Sequence, residues 1–119
     1  MIGPAGPNDA AMFDIDDTLI WTNGQPNTPI IQLLHSMKDL GYHIVIITAR
    51  PGIDAVVQYT IQQLNKHGIQ YHYLGFTSPD TKSLMKRKLG YNFVLSVGDM
   101  PTDWTDSKYY INTSSYGHI

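Results

Sequence analysis

His43-Ile44-Val45-Ile46-Ile47-Thr48-Ala49-Arg50 is the stretch on which the reading of the fold turns. After His43 it runs as four consecutive β-branched apolar residues, too short for a helix, and ends in polar groups. That is the pattern of a strand buried on both faces, as in a parallel sheet. Working upstream, Ile30, Ile31, Leu33, Leu34, Met37 and Leu40 fall on one helical stripe. Thr28-Pro29 supplies an N-cap and a first-turn proline, and Gly41 stands where the helix should stop. Before that helix, residues 11–15 form a short apolar run ending in acidic residues, a second buried strand.

Downstream, residues 53–67 repeat the helical pattern, with Val56, Val57, Ile61 and Leu64 inward and Gly68 as the stop. Residues 69–74 predict a third strand. Residues 79–89 predict a helix opened by Ser78 or Asp80 and closed by Gly90, and residues 93–97 a fourth strand. A turn at Gly98-Asp99-Met100-Pro101 and a short last strand over residues 109–112 follow, and residues 114–119 are expected to fray. Strands alternating with helices in this way predict an α/β domain, a parallel sheet covered on both faces. The domain is expected over residues 11–119, with residues 1–10, including Gly3-Pro4-Ala5-Gly6-Pro7-Asn8, as a flexible leader.

Composition narrows the chemistry. The 119 residues suffice for one domain with its own core, and the absence of cysteine excludes disulfides, thiolate metal sites and a cysteine nucleophile. A formal net charge of -2 gives no overall reason to bind nucleic acid or an anionic membrane. No apolar run approaches a membrane span and no basic-then-apolar signal opens the chain, so the expected compartment is the cytoplasm. Four of the eight basic residues, Lys82, Lys86, Arg87 and Lys88, lie within seven positions, a pattern that ordinarily marks a solvated helix face.

Four polar clusters follow the predicted strands: Asp14 and Asp16, Thr48 and Arg50, Lys82, and Asp99 with Asp103. A parallel sheet carries all of these positions to one edge, where ligands bind such sheets. Asp14 and Asp16 are two apart, so alternation along an extended chain would send both carboxylates to one side. Paired carboxylates repel, and a divalent cation relieves that repulsion. With Asp99 as a third hard oxygen donor, and no suitable His or Cys set, magnesium fits better than zinc. An Asp carboxylate can attack phosphorus, a second can protonate the leaving oxygen, and Lys82 and Thr48 can hold a phosphoryl group. Taken singly, Thr48 is an ordinary strand-end hydroxyl, Lys82 a solvated helix residue, Asp99 a turn residue and Asp103 an N-cap. Their order at one sheet edge is what argues for a site.

Met12-Phe13-Asp14-Ile15-Asp16-Asp17-Thr18-Leu19, Ile44 through Arg50, Lys82 and Gly98-Asp99-Met100-Pro101-Thr102-Asp103 together resemble the motifs of the haloacid dehalogenase-like hydrolase superfamily. The resemblance implies a Rossmann-like three-layer α/β/α domain that hydrolyses phosphate esters with Mg2+. It implies Asp14 as nucleophile and metal ligand, and Asp16 as acid/base and as a metal ligand through its backbone carbonyl. Thr48 and Lys82 would hold the phosphoryl group, Asp99 would ligate the metal, and Asp103 would support it. The segment from Lys82 to Tyr91 is similar to that of acid-phosphatase-like members, in which the first lysine is the functional one. Lys86 and Arg87 are then left to solvent or to a substrate rim.

Neither the stretch between Thr18 and the second strand nor that between Thr48 and Lys82 has room for a cap domain, so a capless, open site is expected. It would take a large substrate, such as a polynucleotide end or a phosphoprotein, or a small one, such as a nucleotide, enclosed by oligomerisation. Nucleic acid would enter only as substrate. Trp21, in the loop over residues 20–27, could stack on a base or plug the loop. Arg50 resembles a substrate-facing arginine of some capless polynucleotide phosphatases, or could pair with a neighbouring Asp. Two other readings are a receiver-type phosphoacceptor module, which would want an Asp after the third strand, and a catalytically weak binding protein that kept the fold.

Overall fold

The computed structural model describes residues 3–114. Five strands, β1 (Asp9–Phe13), β2 (His43–Thr48), β3 (Tyr73–Phe76), β4 (Asn92–Gly98) and β5 (Tyr109–Asn112), form one parallel sheet in the order β3-β2-β1-β4-β5. Helices α1 (Thr28–Asp39), α2 (Asp54–Lys66), α3 (Lys82–Leu89) and α4 (Pro101–Trp104) connect them, with a 3-10 turn, Pro79–Thr81, leading into α3.

Alternation along the central strands builds two cores. Ala11 and Phe13 of β1, with Ile44 and Ile46 of β2, pack on Ile30, Ile31, Leu34 and Met37 of α1 and Leu64 of α2. Ala10, Met12, Val45 and Ile47 face the other way, toward Met85 and Leu89 of α3. Because β1 and β2 are apolar on both sides, each core is closed by a helix layer, giving the expected three-layer α/β/α, Rossmann-like domain. Among the described residues no domain is inserted into it.

Several boundaries differ from expectation for identifiable reasons. The third strand starts at Tyr73, not at residue 69. Ile69 instead closes the end of α2 by donating its amide to Leu64, and His72 exchanges bonds with Ile44 through its backbone amide and Nδ1. α1 is preceded by Asn27 rather than capped by Thr28, and the Asn27 side chain donates to the Thr18 carbonyl at 2.8 Å, tying loop to helix. The expected turn after Gly98 continues into α4. β1 begins at Asp9, inside the stretch read as a leader, and residues 3–8 are held by hydrogen bonds. The Ala5 amide donates to Leu40, the Asn92 amide to Asn8, and the Tyr42 hydroxyl to the Gly3 carbonyl. Ser114 is described, and the rest of the expected frayed end lies outside the described residues.

Topology fixes where chemistry can occur. From central β1 the chain runs outward through β2 and β3, then crosses to β4 and β5 on the other side. The reversal lies between β1 and β4, and there the strand ends diverge to leave a crevice. Asp14 follows β1 and Asp99 follows β4.

Candidate active site

Asp14 leaves β1 with its amide donating to Val97 of β4 at 3.0 Å, which fixes its backbone at the crevice. Its side chain is buried, and oxygens of Asp14, Asp99 and Asp103 lie within 4.8 Å of one another. Lys82, the first residue of α3, reaches in from the opposite core. Its Nζ donates to Asp14 Oδ1 at 3.1 Å and to Asp103 Oδ1 at 2.5 Å. Asp103 is fully buried in α4, and its Oδ2 accepts the Met100 amide at 3.2 Å. Gly98 is required here, since a Cβ at that position would overlap the Asp103 carboxylate.

The cluster is overcharged. One ammonium faces three carboxylates, and burial, followed by repulsion from Asp103, pushes the Asp14 carboxyl up to about 8. Lys82 opposes this without cancelling it. Asp99 is also raised, by burial first, while a hydrogen bond with Asp14 pulls it the other way. Burial would lower the Lys82 ammonium, but Asp14 and Asp103 reverse that and hold it above its ordinary value. Three hard oxygen donors in excess of their countercharge are a donor set that fits a divalent cation bound through carboxylates.

Asp16 does not join this cluster. Its half-exposed carboxylate takes two bonds from Arg50, from Nη2 at 2.8 Å and Nε at 3.1 Å. The expectation that Asp14 and Asp16 point the same way assumed an extended chain. The strand ends at Phe13, Asp17 is left-handed at φ 56°, and the amides of Leu19 and Ile20 turn back onto Ile15. Alternation lapses where the strand does.

Arg50 is itself braced. Its Nη1 donates to Thr60 Oγ1 at 3.0 Å and Gln63 Oε1 at 2.9 Å, both on α2. Four of its five N–H groups are thus engaged, leaving one on Nη2. Thr48 is fully buried at the end of β2, and its hydroxyl accepts the Arg50 amide at 3.2 Å. Among the described residues it makes no bond to the carboxylate cluster. An open crevice of about 340 Å³, lined by Ala49, Arg50, Gly52, Phe76, Thr77 and Ser78, lies beside Arg50 at the ends of β2 and β3. β3 runs out into Thr77 and Ser78 without a carboxylate.

The assignment of Lys86 to solvent or rim is corrected. Lys86 is 1 % exposed and donates to Ser96 Oγ at 2.9 Å, the Asp103 carbonyl at 2.6 Å and the Thr105 carbonyl at 2.7 Å. It ties α3 to β4 and to the end of α4. Arg87, by contrast, is exposed and pairs with Asp106. The i, i+4 spacing of Lys82 and Lys86 on a short helix was the available signal that both share its inner face. Thr60 and Gln63 were also missed as partners of Arg50. Their i, i+3 spacing put them on one face, but nothing in the sequence aimed that face at Arg50.

The sequence profile of the haloacid dehalogenase-like hydrolases matches residues 11–76, more than half of the chain. The chain belongs to that family. The matched span carries Asp14, Asp16, Thr48 and Arg50, while Lys82, Asp99 and Asp103 lie beyond it. No curated protein matches the chain. Two solved structures, described as the Pnkp1/Rnl/Hen1 complex and the Pnkp1/Rnl/Hen1 RNA repair complex, superpose on it with a TM-score of 0.65 at 22 % identity. They cover 86 % of this chain, which spans only 42 % and 39 % of theirs. At that identity the likeness is one of fold.

Proposed function

We propose that this hydrolase is a magnesium-dependent phosphomonoesterase acting through an aspartyl-phosphate on Asp14. The observation that carries the proposal is the buried Asp14 carboxylate at the β1/β4 crevice, bonded to Lys82 and crowded by Asp99 and Asp103. An oxygen of Asp14 attacks phosphorus, the bond from phosphorus to the ester oxygen breaks, and Asp16, which has given up one of its Arg50 bonds and taken a proton from solvent at its exposed edge, passes that proton to the ester oxygen. Asp16 then takes a proton from water, which attacks the same phosphorus, releases inorganic phosphate and frees Asp14. Lys82, with Thr48 and the remaining N–H of Arg50, holds the phosphoryl oxygens as charge moves onto them. Asp14, Asp99 and the Asp16 carbonyl would hold Mg2+, with Asp103 behind them. The ion would supply positive charge to the carboxylates and phosphoryl oxygens.

Arg50 positions Asp16 as well as meeting substrate. The bidentate clamp, backed by Thr60 and Gln63, fixes the direction of the half-exposed carboxylate, which supports a role for it toward a leaving group on the solvent side. The open mouth suits a phosphate at the end of something larger. A polynucleotide end is the first substrate to test, and the RNA repair complex named for the fold neighbours supports that choice.

The test is phosphate release from an aryl phosphate, from nucleotides and from terminally phosphorylated oligonucleotides. Activity should require Mg2+ and vanish in Asp14→Asn. Full activity of that variant, or of the native chain in excess chelator, would overturn the mechanism.

A further inference from the structure

Beside the ion pair of Asp16 and Arg50 a second concavity opens between the loop after β1 and the outer face of α2. It has a volume of about 250 Å³ and is lined by Gly24, Tyr59, Gln62, Gln63, Lys66 and His67. Its composition differs from that of the chain as a whole. The protein carries a formal charge of -2 and ten aspartates, yet no carboxylate lines this groove.

Apart from Gln63, the polar side chains that line the groove are free. Among the described residues the Lys66 ammonium, the Gln62 amide, the His67 ring and the Tyr59 hydroxyl have no protein partner. The carbonyls at the end of α2 do not draw on the Lys66 side chain, since backbone amides of His67, Gly68 and Ile69 already cap them. Tyr59 is 59 % exposed, which leaves a ring of that size with an open face. Unpartnered donors around an aromatic ring match an anionic oxygen beside a planar group.

The groove is linked to the Arg50 clamp through Gln63. Gln63 lines it and at the same time accepts from Arg50 Nη1 at 2.9 Å, and Arg50 holds Asp16 at 2.8 Å. A substrate with its phosphate on Asp14 and its leaving oxygen near Asp16 would therefore extend over Gln63 toward Lys66. We propose that this groove binds the nucleotide next to the terminal phosphate of a single-stranded polynucleotide, base against Tyr59 and phosphodiester against Lys66 and His67. This rests on the phosphomonoesterase reading and names its substrate class. A phosphopeptide would offer no repeated backbone anion and no obligatory planar group at that distance.

The experiment is steady-state kinetics with Mg2+ on terminally phosphorylated mono-, tri- and hexanucleotides. KM should fall about tenfold from mononucleotide to hexanucleotide, and the gain should shrink as salt rises. Lys66→Glu and Tyr59→Ala should each return most of that gain. Lys88→Glu, an equal charge change on the exposed side of α3, should keep it. KM independent of length, or equal loss in Lys66→Glu and Lys88→Glu, would overturn the groove. A fluorescent hexanucleotide lacking a terminal phosphate separates the two readings. Its binding to Asp14→Asn should weaken at least about fivefold on adding Lys66→Glu, whatever becomes of catalysis. Absence of that binding sinks the groove alone, and absence of phosphate release from every ester sinks the enzyme.

Discussion

Replacing Asp14 by Asn should abolish activity and yet make the metal-free protein more stable near pH 8. The folded state raises this carboxyl from its ordinary 3.8 to about 8, through burial first and then repulsion from Asp103. Between those values the unfolded chain has lost the proton that the native protein keeps. Fewer protons are bound unfolded than folded, so unfolding becomes easier as pH rises, and the loss is complete above the folded value. At 1.36 kcal/mol per pH unit this amounts to roughly 6 kcal/mol as an upper bound. Asn escapes that cost and still offers an oxygen to Lys82. It removes one of the two carboxylates on that buried ammonium, although Asp103 remains at 2.5 Å. With that offset the variant should gain about 3 kcal/mol near pH 8, roughly 10 °C in Tm for a domain of this size.

The assay is thermal and urea unfolding in chelator at about pH 5 and about pH 8, repeated with excess Mg2+. The advantage of Asp14→Asn should be largest at the higher pH and fade toward the lower. Magnesium should raise the native chain toward the variant and do little for the variant itself. A variant less stable than the native chain near pH 8 in chelator would refute the reasoning, as would an advantage that does not change with pH.

Lys86→Met should cost about 3 kcal/mol near neutral pH, because the carbonyls of Asp103 and Thr105 lose their buried donor, measured as a drop in urea midpoint. Burial lowers the Lys86 ammonium to about 8, so the native chain should regain stability from that group as pH rises from about 8 toward 10.5, and the variant should lack this rise. Gly98→Ala should remove activity and Mg2+ binding together, since the added methyl displaces the Asp103 carboxylate; calorimetric titration with Mg2+ reads this directly. Arg50→Lys should lower kcat by about 10²-fold with a smaller change in KM, as a lysine cannot hold Asp16 in a two-point clamp.

Much of the fold was legible because its signals are local. Ile44 to Ile47 has no polar face, so it had to be covered on both sides, and the helical stripes before and after supplied the covers. Once the sheet was parallel, Asp14 and Asp99 had to share an edge. What sequence could not give was the direction of each side chain beyond the strand ends. Asp14 and Asp16 look equivalent as a pair two residues apart, and alternation would have kept them so. A left-handed Asp17 and a tight return onto Ile15 separate them instead.

That separation decides the chemistry open to each carboxylate. Asp14 lies buried against Lys82, where burial and the neighbouring Asp103 make its charge costly. Asp16 lies half in solvent against an arginine braced from α2. The two lysines of α3 divide in the same manner. Both are buried, but Lys82 faces carboxylate oxygens and Lys86 faces two carbonyls and a hydroxyl. One can give charge to a reacting group, while the other fixes the segment that carries Asp103. A lysine reaching carboxylates at the sheet edge can serve a phosphoryl group. A lysine enclosed by backbone carbonyls can only hold the wall in place.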